Sequence, residues 1–250
     1  MTGEPFLSVR NLSANYVSRP LGIFGKKEIK PVLDNVSLDI YKGEIFGLVG
    51  ESGCGKTTLG KCILGLIDFK GEIAINGKAR ESRTLLKQLS LKERQEAAFN
   101  IQAIFQDSGS SLNPAKTVGW ILEEPLKAHR RSALHEELSS AAERQRKVDS
   151  VLDLVGLDSS YKKRKPAELS AGQKQRVAIA GALSLNPGLI VADEPVSALD
   201  VSIAAGILNL FRELNRRLGL ALLFISHNLD LVDYLCDRVA VMRNGKIIYE

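Results

Sequence analysis

Residues 50–57 have the glycine, lysine and hydroxyl spacing that binds nucleotide phosphates. They read Gly-Glu-Ser-Gly-Cys-Gly-Lys-Thr, which fits the pattern G-x-x-x-x-G-K-[ST]. Glycines let the backbone curl so that successive N–H groups point at phosphate oxygens, and the following helix N-terminus adds a favourable dipole. In this pattern Lys56 contacts the β- and γ-phosphates, and the Thr57 hydroxyl ligates Mg²⁺. The predicted nucleotide-binding residues are Gly50, Glu51, Ser52, Gly53, Cys54, Gly55, Lys56, Thr57 and Thr58.

The residues around this loop have the context that a phosphate-binding loop requires. The continuously apolar run Ile45–Val49 precedes it and predicts a buried strand, and residues 58–66 have a helical pattern. A chance match to the pattern in a chain of this length is on the order of one per cent. The sequence therefore predicts nucleotide binding.

Two adjacent carboxylates end a second apolar run. Leu189–Ala192 predicts a buried strand, and Asp193 and Glu194 follow it directly. At the carboxyl end of a parallel strand, such acids face the ligand crevice. Asp193 is therefore predicted to hold Mg²⁺ through water, and Glu194 to accept a proton from the water that attacks the γ-phosphate. The second acid favours hydrolysis over simple phosphate transfer.

A third segment predicts another helix N-terminus that could accept an anion. Ser170 and Gln173 have the spacing of a capping box, in which each side chain bonds the other residue's backbone N–H. Gly172 between them lets an anion approach the helix closely. Taken alone, this pattern indicates only a well-capped helix.

The elements that must position these residues indicate an α/β fold. Continuous apolar runs at Ile45–Val49, Leu189–Ala192 and Ala221–Ile225 are typical of strands buried on both faces of a parallel sheet. Asn-Gly pairs at 76–77 and 244–245 predict hairpins and an added antiparallel layer. Residues 107–168 read as an inserted helical subdomain, and core segments 1–106 and 169–250 complete a single domain. Residues 18–31 are predicted to be an exposed loop.

Composition narrows the class of protein without selecting a partner. The 250 residues are 44% apolar and 25% charged, which is typical of a soluble globular protein, and the formal charge is +5. Three cysteines give neither zinc-ligand spacing nor a disulfide framework, which favours a reducing compartment. The start has no secretory pattern, and the longest apolar runs are far shorter than the roughly 18 residues of a membrane helix. Any membrane role is therefore expected to go through a partner.

Together, these motifs resemble those of the ATP-binding-cassette (ABC) ATPases along essentially the whole chain. The signature segment, Ser170-Ala171-Gly172-Gln173, resembles the family signature. The resemblance implies that Gln106 ligates Mg²⁺ and relays the nucleotide state, and that His227 contacts the γ-phosphate. It further implies that Asp200 lies in the loop that crosses the dimer interface and that Tyr16 stacks on adenine.

The resemblance also implies a P-loop NTPase core and a nucleotide-sandwich dimer. Each ATP, with Mg²⁺, would lie between the Lys56 loop of one chain and the signature segment of the other. Hydrolysis would then be coupled to opening and closing of the pair.

More specific strings resemble the ATPases of dipeptide, oligopeptide and nickel importers. The first pattern comprises residues 105–107, 110–114 and 117–119. The second comprises residues 193–203. This subgroup implies a peripheral protein on the cytoplasmic face of the membrane, paired with a second ABC ATPase of the same or a related sequence. Two transmembrane permease subunits and, indirectly, an extracytoplasmic solute-binding protein would complete the system. The imported solute stays open among peptides, nickel and metal chelates. Two positions depart from the pattern, since Ala171 replaces the usual glycine and Gly181 the usual arginine.

Other functions remain open at this point. A carbon–phosphorus lyase-like soluble complex uses a similar ATPase subunit, and only the partner would distinguish it. A degenerate cassette that binds ATP but hydrolyses it slowly is a further alternative. A nucleic-acid-linked ABC ATPase is disfavoured, because aromatics are only 6% and the basic clusters lack interleaved aromatic residues.

Overall fold

The computed structural model describes residues 4–18, 28–81, 96, 99–106, 111–130 and 136–250. The chain divides into two compact units, of which the first comprises Met1–Leu89 with Ala221–Glu250 and the second Ser90–Leu220. Both units contain strands and helices, which confirms the predicted α/β class. In chain order the strands and α-helices are β1 (Leu7–Ser18), β2 (Glu28–Ile40), β3 (Ile45–Val49), α1 (Lys56–Ile63), β4 (Lys70–Ile75), β5 (Lys78–Glu81), β6 (Ile101–Ile104), α2 (Val118–Ala128), α3 (Ala141–Leu154), α4 (Ala171–Leu183), β7 (Leu189–Asp193), α5 (Val201–Leu218), β8 (Ala221–Ser226), α6 (Leu229–Leu235), β9 (Arg238–Arg243) and β10 (Lys246–Tyr249).

A parallel sheet in the first unit positions the phosphate loop. Strands β9, β3 and β8 pair in parallel, and β10 adds to β9 as an antiparallel edge. Every residue of β3 and β8 is buried, as expected for continuously apolar parallel strands. Val49 is in register with Ser226, so the residues that follow these two strands leave the sheet at the same edge.

An antiparallel sheet forms the other layer of the first unit, in the order β2-β1-β4-β5. The predicted hairpin at 76–77 is confirmed, since Asn76 and Gly77 have φ values of +48° and +73° and join β4 to β5. The pair at 244–245 joins β9 to β10 in the same way, with φ values of +48° and +77°. These left-handed conformations are those of the hairpin turns that Asn-Gly favours.

The predicted loop at 18–31 is wrong for its last residues, because β2 begins at Glu28 and pairs with Ser18 of β1. Pro31 lies opposite Asn15. Proline is tolerated there because β2 is the edge strand of its sheet and one side of its backbone needs no ladder hydrogen bonds. Residues 19–27 of the predicted loop lie outside the described residues.

The second unit contains a parallel strand pair, β6 and β7, with Ile104 in register with Ala192. Between these strands, the described residues of the predicted helical subdomain form α2, α3 and the 3₁₀ helices Glu136–Ser139, Ser159–Lys163 and Pro166–Glu168. The boundaries predicted for that subdomain stay a prediction. None of the described helices is long and apolar enough to span a lipid bilayer.

Helices α2 and α3 form because their apolar residues recur on one face. Val148, Val151 and Leu152 of α3 are fully buried, and Val118, Leu122 and Leu126 are their counterparts on α2. The Ser140 side chain caps α3, accepting a hydrogen bond from the Glu143 N–H. Gly156, at a φ of +69°, closes the helix.

Candidate nucleotide-binding site

The loop between β3 and α1 has a backbone that only glycine adopts easily. Gly50, Gly53 and Gly55 have φ values of +157°, +80° and +116°. A Cβ added at Gly50 would lie 2.2 Å from the Met242 carbonyl oxygen, and one at Gly55 would lie 2.8 Å from Leu33 Cδ2. At Gly53 the same added atom would meet open space. The glycine spacing therefore builds a curled loop that is packed against the protein at Gly50 and Gly55 and open at Gly53.

The Lys56 ammonium lies inside the curl of this loop. Its side chain is buried, and Nζ donates hydrogen bonds to the carbonyl oxygens of Gly50, at 2.6 Å, and Glu51, at 3.0 Å. Bonds to the loop's own backbone fix the position of the positive charge. An anion held by this loop would therefore meet a cation that is already in place.

The N-terminus of α1 leaves its backbone donors available. Its N-cap is Gly55, which has no side chain with which to cap the first turn. The dipole of the helix adds positive potential at this end. The N–H groups and the Lys56 ammonium are the donors that a phosphate group requires, and the open space at Gly53 leaves room for it.

Tyr16 and His227 lie near this loop in the first unit. The Tyr16 side chain is 44% exposed, and its hydroxyl lies 3.5 Å from Thr58 Oγ1, on the first turn of α1. His227 is exposed and follows β8 directly, at the sheet edge where Gly50 leaves β3. The predicted adenine contact thus lies beside the first turn of α1, and the predicted γ-phosphate contact follows the sheet edge that carries the phosphate loop.

Buried polar groups anchor the start of β3, at the end far from the loop. The Glu44 carboxylate accepts hydrogen bonds from the Tyr41 N–H, at 2.6 Å, and from Arg238, at 2.8 Å. Burial raises the pKa of Glu44 above its ordinary value, and these donors oppose that rise.

Burial also raises the pKa of the Cys62 and Cys236 thiols to about 12, so both are protonated at neutral pH.

The predicted catalytic acids lie together in the second unit, at the carboxyl end of β7. Asp193 is 6% exposed, whereas Glu194 lies past the strand at a φ of +49°, a left-handed value uncommon for residues other than glycine. The Ser197 hydroxyl donates to the Glu194 carbonyl oxygen at 3.0 Å and supports this turn. Backbone strain of this kind concentrates at functional sites.

Gln106 leaves the neighbouring strand at the same edge. The Gln106 side chain is exposed. Ile104 of β6 pairs with Ala192 of β7, and Gln106 and Glu194 each lie two residues beyond this pair along the chain. The Gln106 carboxamide, the Asp193 carboxylate and, in the first unit, the Thr57 hydroxyl are all hard oxygen donors. Their chemistry fits Mg²⁺.

The signature segment forms the capping box that its sequence predicts. The Ser170 hydroxyl accepts from the Gln173 N–H at 3.3 Å, and Gln173 Oε1 accepts from the Ser170 N–H at 3.0 Å. A Cβ added at Gly172 would lie 2.8 Å from Ile203 Cγ2 of α5, so glycine permits this close packing. Asp200, the N-cap of α5, and Ala171 are both exposed.

Tyr161 is a residue of this region that the sequence reasoning missed. Its hydroxyl accepts a hydrogen bond from Gln173 Nε2 at 2.9 Å. Tyr161 directly precedes a run of four basic residues, 162–165, and that composition predicts a solvated surface. A contact across twelve positions has no periodic signal in the sequence.

A strand, glycine loop and helix with a buried lysine define a P-loop nucleotide-binding protein. The sequence profile described as ABC transporter matches residues 33–197. The chain is 43% identical over 249 residues to the oligopeptide transport ATP-binding protein OppF of Bacillus subtilis, covering 98% of this chain and 75% of that protein. It is 47% identical over 246 residues to OppF of Streptococcus mutans, covering 98% and 74%.

Solved structures give the same result. A dimeric, post-hydrolysis ATP-binding cassette, MJ0796 bound to ADP and Pi, is 30% identical with a TM-score of 0.76, covering 97% of this chain and 96% of that one. The cbiO1 protein of Clostridium perfringens, part of the ABC transporter complex cbiONQ, is 28% identical with a TM-score of 0.79, covering 98% and 88%. The chain therefore belongs to the ABC transporter family, as an ATP-binding and ATP-hydrolysing cassette, which confirms the resemblance stated above.

Proposed function

We propose that this chain is the ATPase subunit of a membrane importer for peptides. The observation that carries the proposal is its similarity, along 98% of its length, to oligopeptide transport ATP-binding proteins at 43–47% identity. The open phosphate loop, the two acids at the end of β7 and the capped signature segment support the proposal. Nothing comparable supports the lyase-type or nucleic-acid-linked alternatives.

ATP is the proposed nucleotide, held by the phosphate loop in the first unit. Tyr16 stacks on adenine, while the backbone from Gly50 to Thr58 and the Lys56 ammonium bind the phosphates. The open N-terminus of α1 supports this assignment, because its N–H groups and dipole favour an anion. Thr57, Gln106 and Asp193 are the proposed Mg²⁺ donors, and the cation would neutralise phosphate charge.

Glu194 is the proposed general base of hydrolysis. A carboxylate at the end of a buried strand can orient water and accept its proton as the water attacks the γ-phosphate. His227 contacts the γ-phosphate, and Gln106 reports the state of the nucleotide to the rest of the assembly. The left-handed backbone of Glu194 supports a specific role, because such strain persists only where the surroundings impose it.

The signature segment is proposed to act on the nucleotide bound by a second cassette chain. The N-terminus of α4, exposed at Ser170 and Ala171 and continued by Gly172, would face that nucleotide, and Asp200 would lie in the loop between chains. ATP would then close the pair, and hydrolysis would reopen it. Closing and opening would perform work on the partners.

The proposed partners are a second ABC ATPase chain, two transmembrane permease subunits and, through them, an extracytoplasmic solute-binding protein. The chain would be peripheral, on the cytoplasmic face of the cell membrane. The described surface of the helical segment 111–168 is the proposed docking region for a cytoplasmic helix of the permease. Because the cassette touches nucleotide and permease, the solute-binding protein would determine which peptides are imported.

Affinity purification of the tagged chain from its own cells, in gentle detergent, tests this proposal. We expect mass spectrometry to identify two multi-span permeases, a second cassette and a solute-binding protein. The matched control is a tagged Lys56→Ala chain, which should recover the same permeases because docking does not require bound ATP. Recovery of a soluble enzyme complex without permeases would contradict the importer. Binding of nickel rather than peptide by the recovered solute-binding protein would contradict the peptide assignment.

A further inference from the structure

Gln173 is held from two sides at the start of α4. Its Oε1 accepts from the Ser170 N–H at 3.0 Å, which completes the capping box, and its Nε2 donates to the Tyr161 hydroxyl at 2.9 Å. The second bond fixes which end of the carboxamide faces the helix terminus. A carboxamide held at both ends has one orientation, whereas one held at a single end retains rotamer freedom.

Tyr161 is itself fixed by its surroundings. The Arg164 guanidinium lies over the phenol ring, 4.0 Å from its centre, and the residue belongs to the 3₁₀ helix Ser159–Lys163. The Arg164 carbonyl oxygen then accepts the N–H of Val118, the first residue of α2, at 2.9 Å. The segment that carries Tyr161 is therefore bonded to α2 through the Arg164 backbone, while the Tyr161 hydroxyl contacts the signature segment.

We infer that Tyr161 is a positioning residue for the signature segment. Its hydroxyl sets the orientation of Gln173 and, through the capping box, that of the Ser170–Gly172 backbone that would face the nucleotide of a second chain. The inference rests on the proposed function, in which that segment acts in trans. Tyr161 belongs to none of the motifs assigned above.

The variant Tyr161→Phe isolates this contact. It removes the oxygen but keeps the ring beneath Arg164, where a cation still stacks on an aromatic face. The fold of the second unit should therefore persist. One net hydrogen bond corresponds to a change of about threefold to tenfold in an equilibrium or a rate.

The test uses the purified assembly together with the isolated chain. In Tyr161→Phe we expect the kcat for ATP of the assembly to fall about threefold to tenfold, with KM changed less than about twofold. The isolated chain should bind ATP as the parent does, because its own phosphate loop is untouched. The matched control, Tyr249→Phe, removes the hydroxyl of an exposed tyrosine in the first unit and should change neither quantity.

A double-mutant comparison separates positioning from general damage. In a Gln173→Leu background, which lacks the carboxamide, Tyr161→Phe should cause no further loss. An unchanged kcat in Tyr161→Phe, or an additive loss in the double variant, would overturn the inference and leave the proposed function intact. Weakened ATP binding by the isolated Tyr161→Phe chain would overturn it too. A parent assembly without ATPase activity would overturn the proposed function and this inference with it.

Discussion

Two helix N-termini are proposed to meet phosphate groups, and their first backbone N–H groups are capped in opposite ways. Helix α1 begins after Gly55, which offers no side-chain cap, and Lys56 lies buried beside its first turn. Helix α4 begins after Ser170, and its capping box with Gln173 satisfies backbone donors at that terminus internally. The basic side chain nearest the α4 terminus in sequence, Lys174, is the fourth residue of the helix.

This difference explains why one terminus would be sufficient for binding and the other would not. At α1, uncapped N–H groups and a fixed cation would make a phosphate site within one chain. At α4, the cap has already taken up donors, so the remaining dipole and N–H groups offer a weaker site. Affinity for ATP is therefore expected to come from α1, and α4 is expected to contribute only when two chains meet.

The largest expected effect is a loss of ATP turnover without a loss of ATP affinity. Glu194→Gln should keep ATP affinity and lower turnover by about 10²- to 10⁴-fold, because the amide cannot accept the proton of the attacking water. Steady-state ATPase assays and equilibrium ATP binding measure the two quantities. Glu213→Gln, on the exposed face of α5, is the matched control and should be neutral. Normal turnover in Glu194→Gln would remove that residue from its proposed role.

The next effect tests α1. Lys56→Ala should weaken ATP binding by the isolated chain about tenfold to a hundredfold, because charge-assisted hydrogen bonds to phosphate are lost. Isothermal titration calorimetry measures the change. Lys61→Ala, in the last turn of the same helix, removes an equal charge at the other end and should bind ATP normally. Equal affinities for the two variants would contradict the assignment of the phosphate loop.

A smaller effect tests α4. Ser170→Ala removes the N-cap, which costs about 1 kcal/mol of stability, and should lower turnover of the assembly about fivefold while ATP affinity of the isolated chain stays constant. Ser140→Ala removes the corresponding cap of α3, so it should cost similar stability and spare turnover. Thermal unfolding and ATPase assays supply the comparison. Loss of turnover in both variants would show a stability effect alone.

The smallest effect concerns Ala171, where the family pattern has glycine. Its Cβ stands at the exposed first position of α4, so Ala171→Gly should allow closer approach to a second chain's nucleotide and raise turnover about twofold. Ala141→Gly, at the first position of α3, is the matched control for helix propensity, which changes by at most about 1 kcal/mol. A fall in turnover with Ala171→Gly would show that the methyl group does not obstruct closure.

The sequence predicts elements well where one local rule decides them. The apolar strand before Gly50, the Asn-Gly turns and the Ser170–Gln173 box all depend on residues within a few positions of each other, and all three form. The start of β2 was missed because Gly, Pro and Lys between 18 and 31 indicate a loop, while pairing with β1 extends the strand to Glu28. Tertiary pairing overrides local propensity at such an edge.

Two features of the site lie beyond sequence reasoning for a physical reason. Glu194 has a left-handed backbone in a turn that the Ser197 hydroxyl supports. A glutamate in the sequence does not predict that conformation. The Tyr161–Gln173 bond joins a 3₁₀ helix to a helix cap, so its geometry depends on how both pack in the second unit. Contacts of this kind follow from packing, which spacing alone does not encode.

The most direct test of the central claim is whether ATP joins two cassette chains. The Glu194→Gln chain would be mixed with its cassette partner, as identified by the affinity purification. That partner is either a second copy of this chain or a related ABC ATPase. Sedimentation velocity would then be recorded with and without ATP and Mg²⁺. We expect a two-cassette species that requires ATP and is lost in the Glu194→Gln, Lys56→Ala double variant. A single-cassette species under every condition, with ATP still bound, would contradict it.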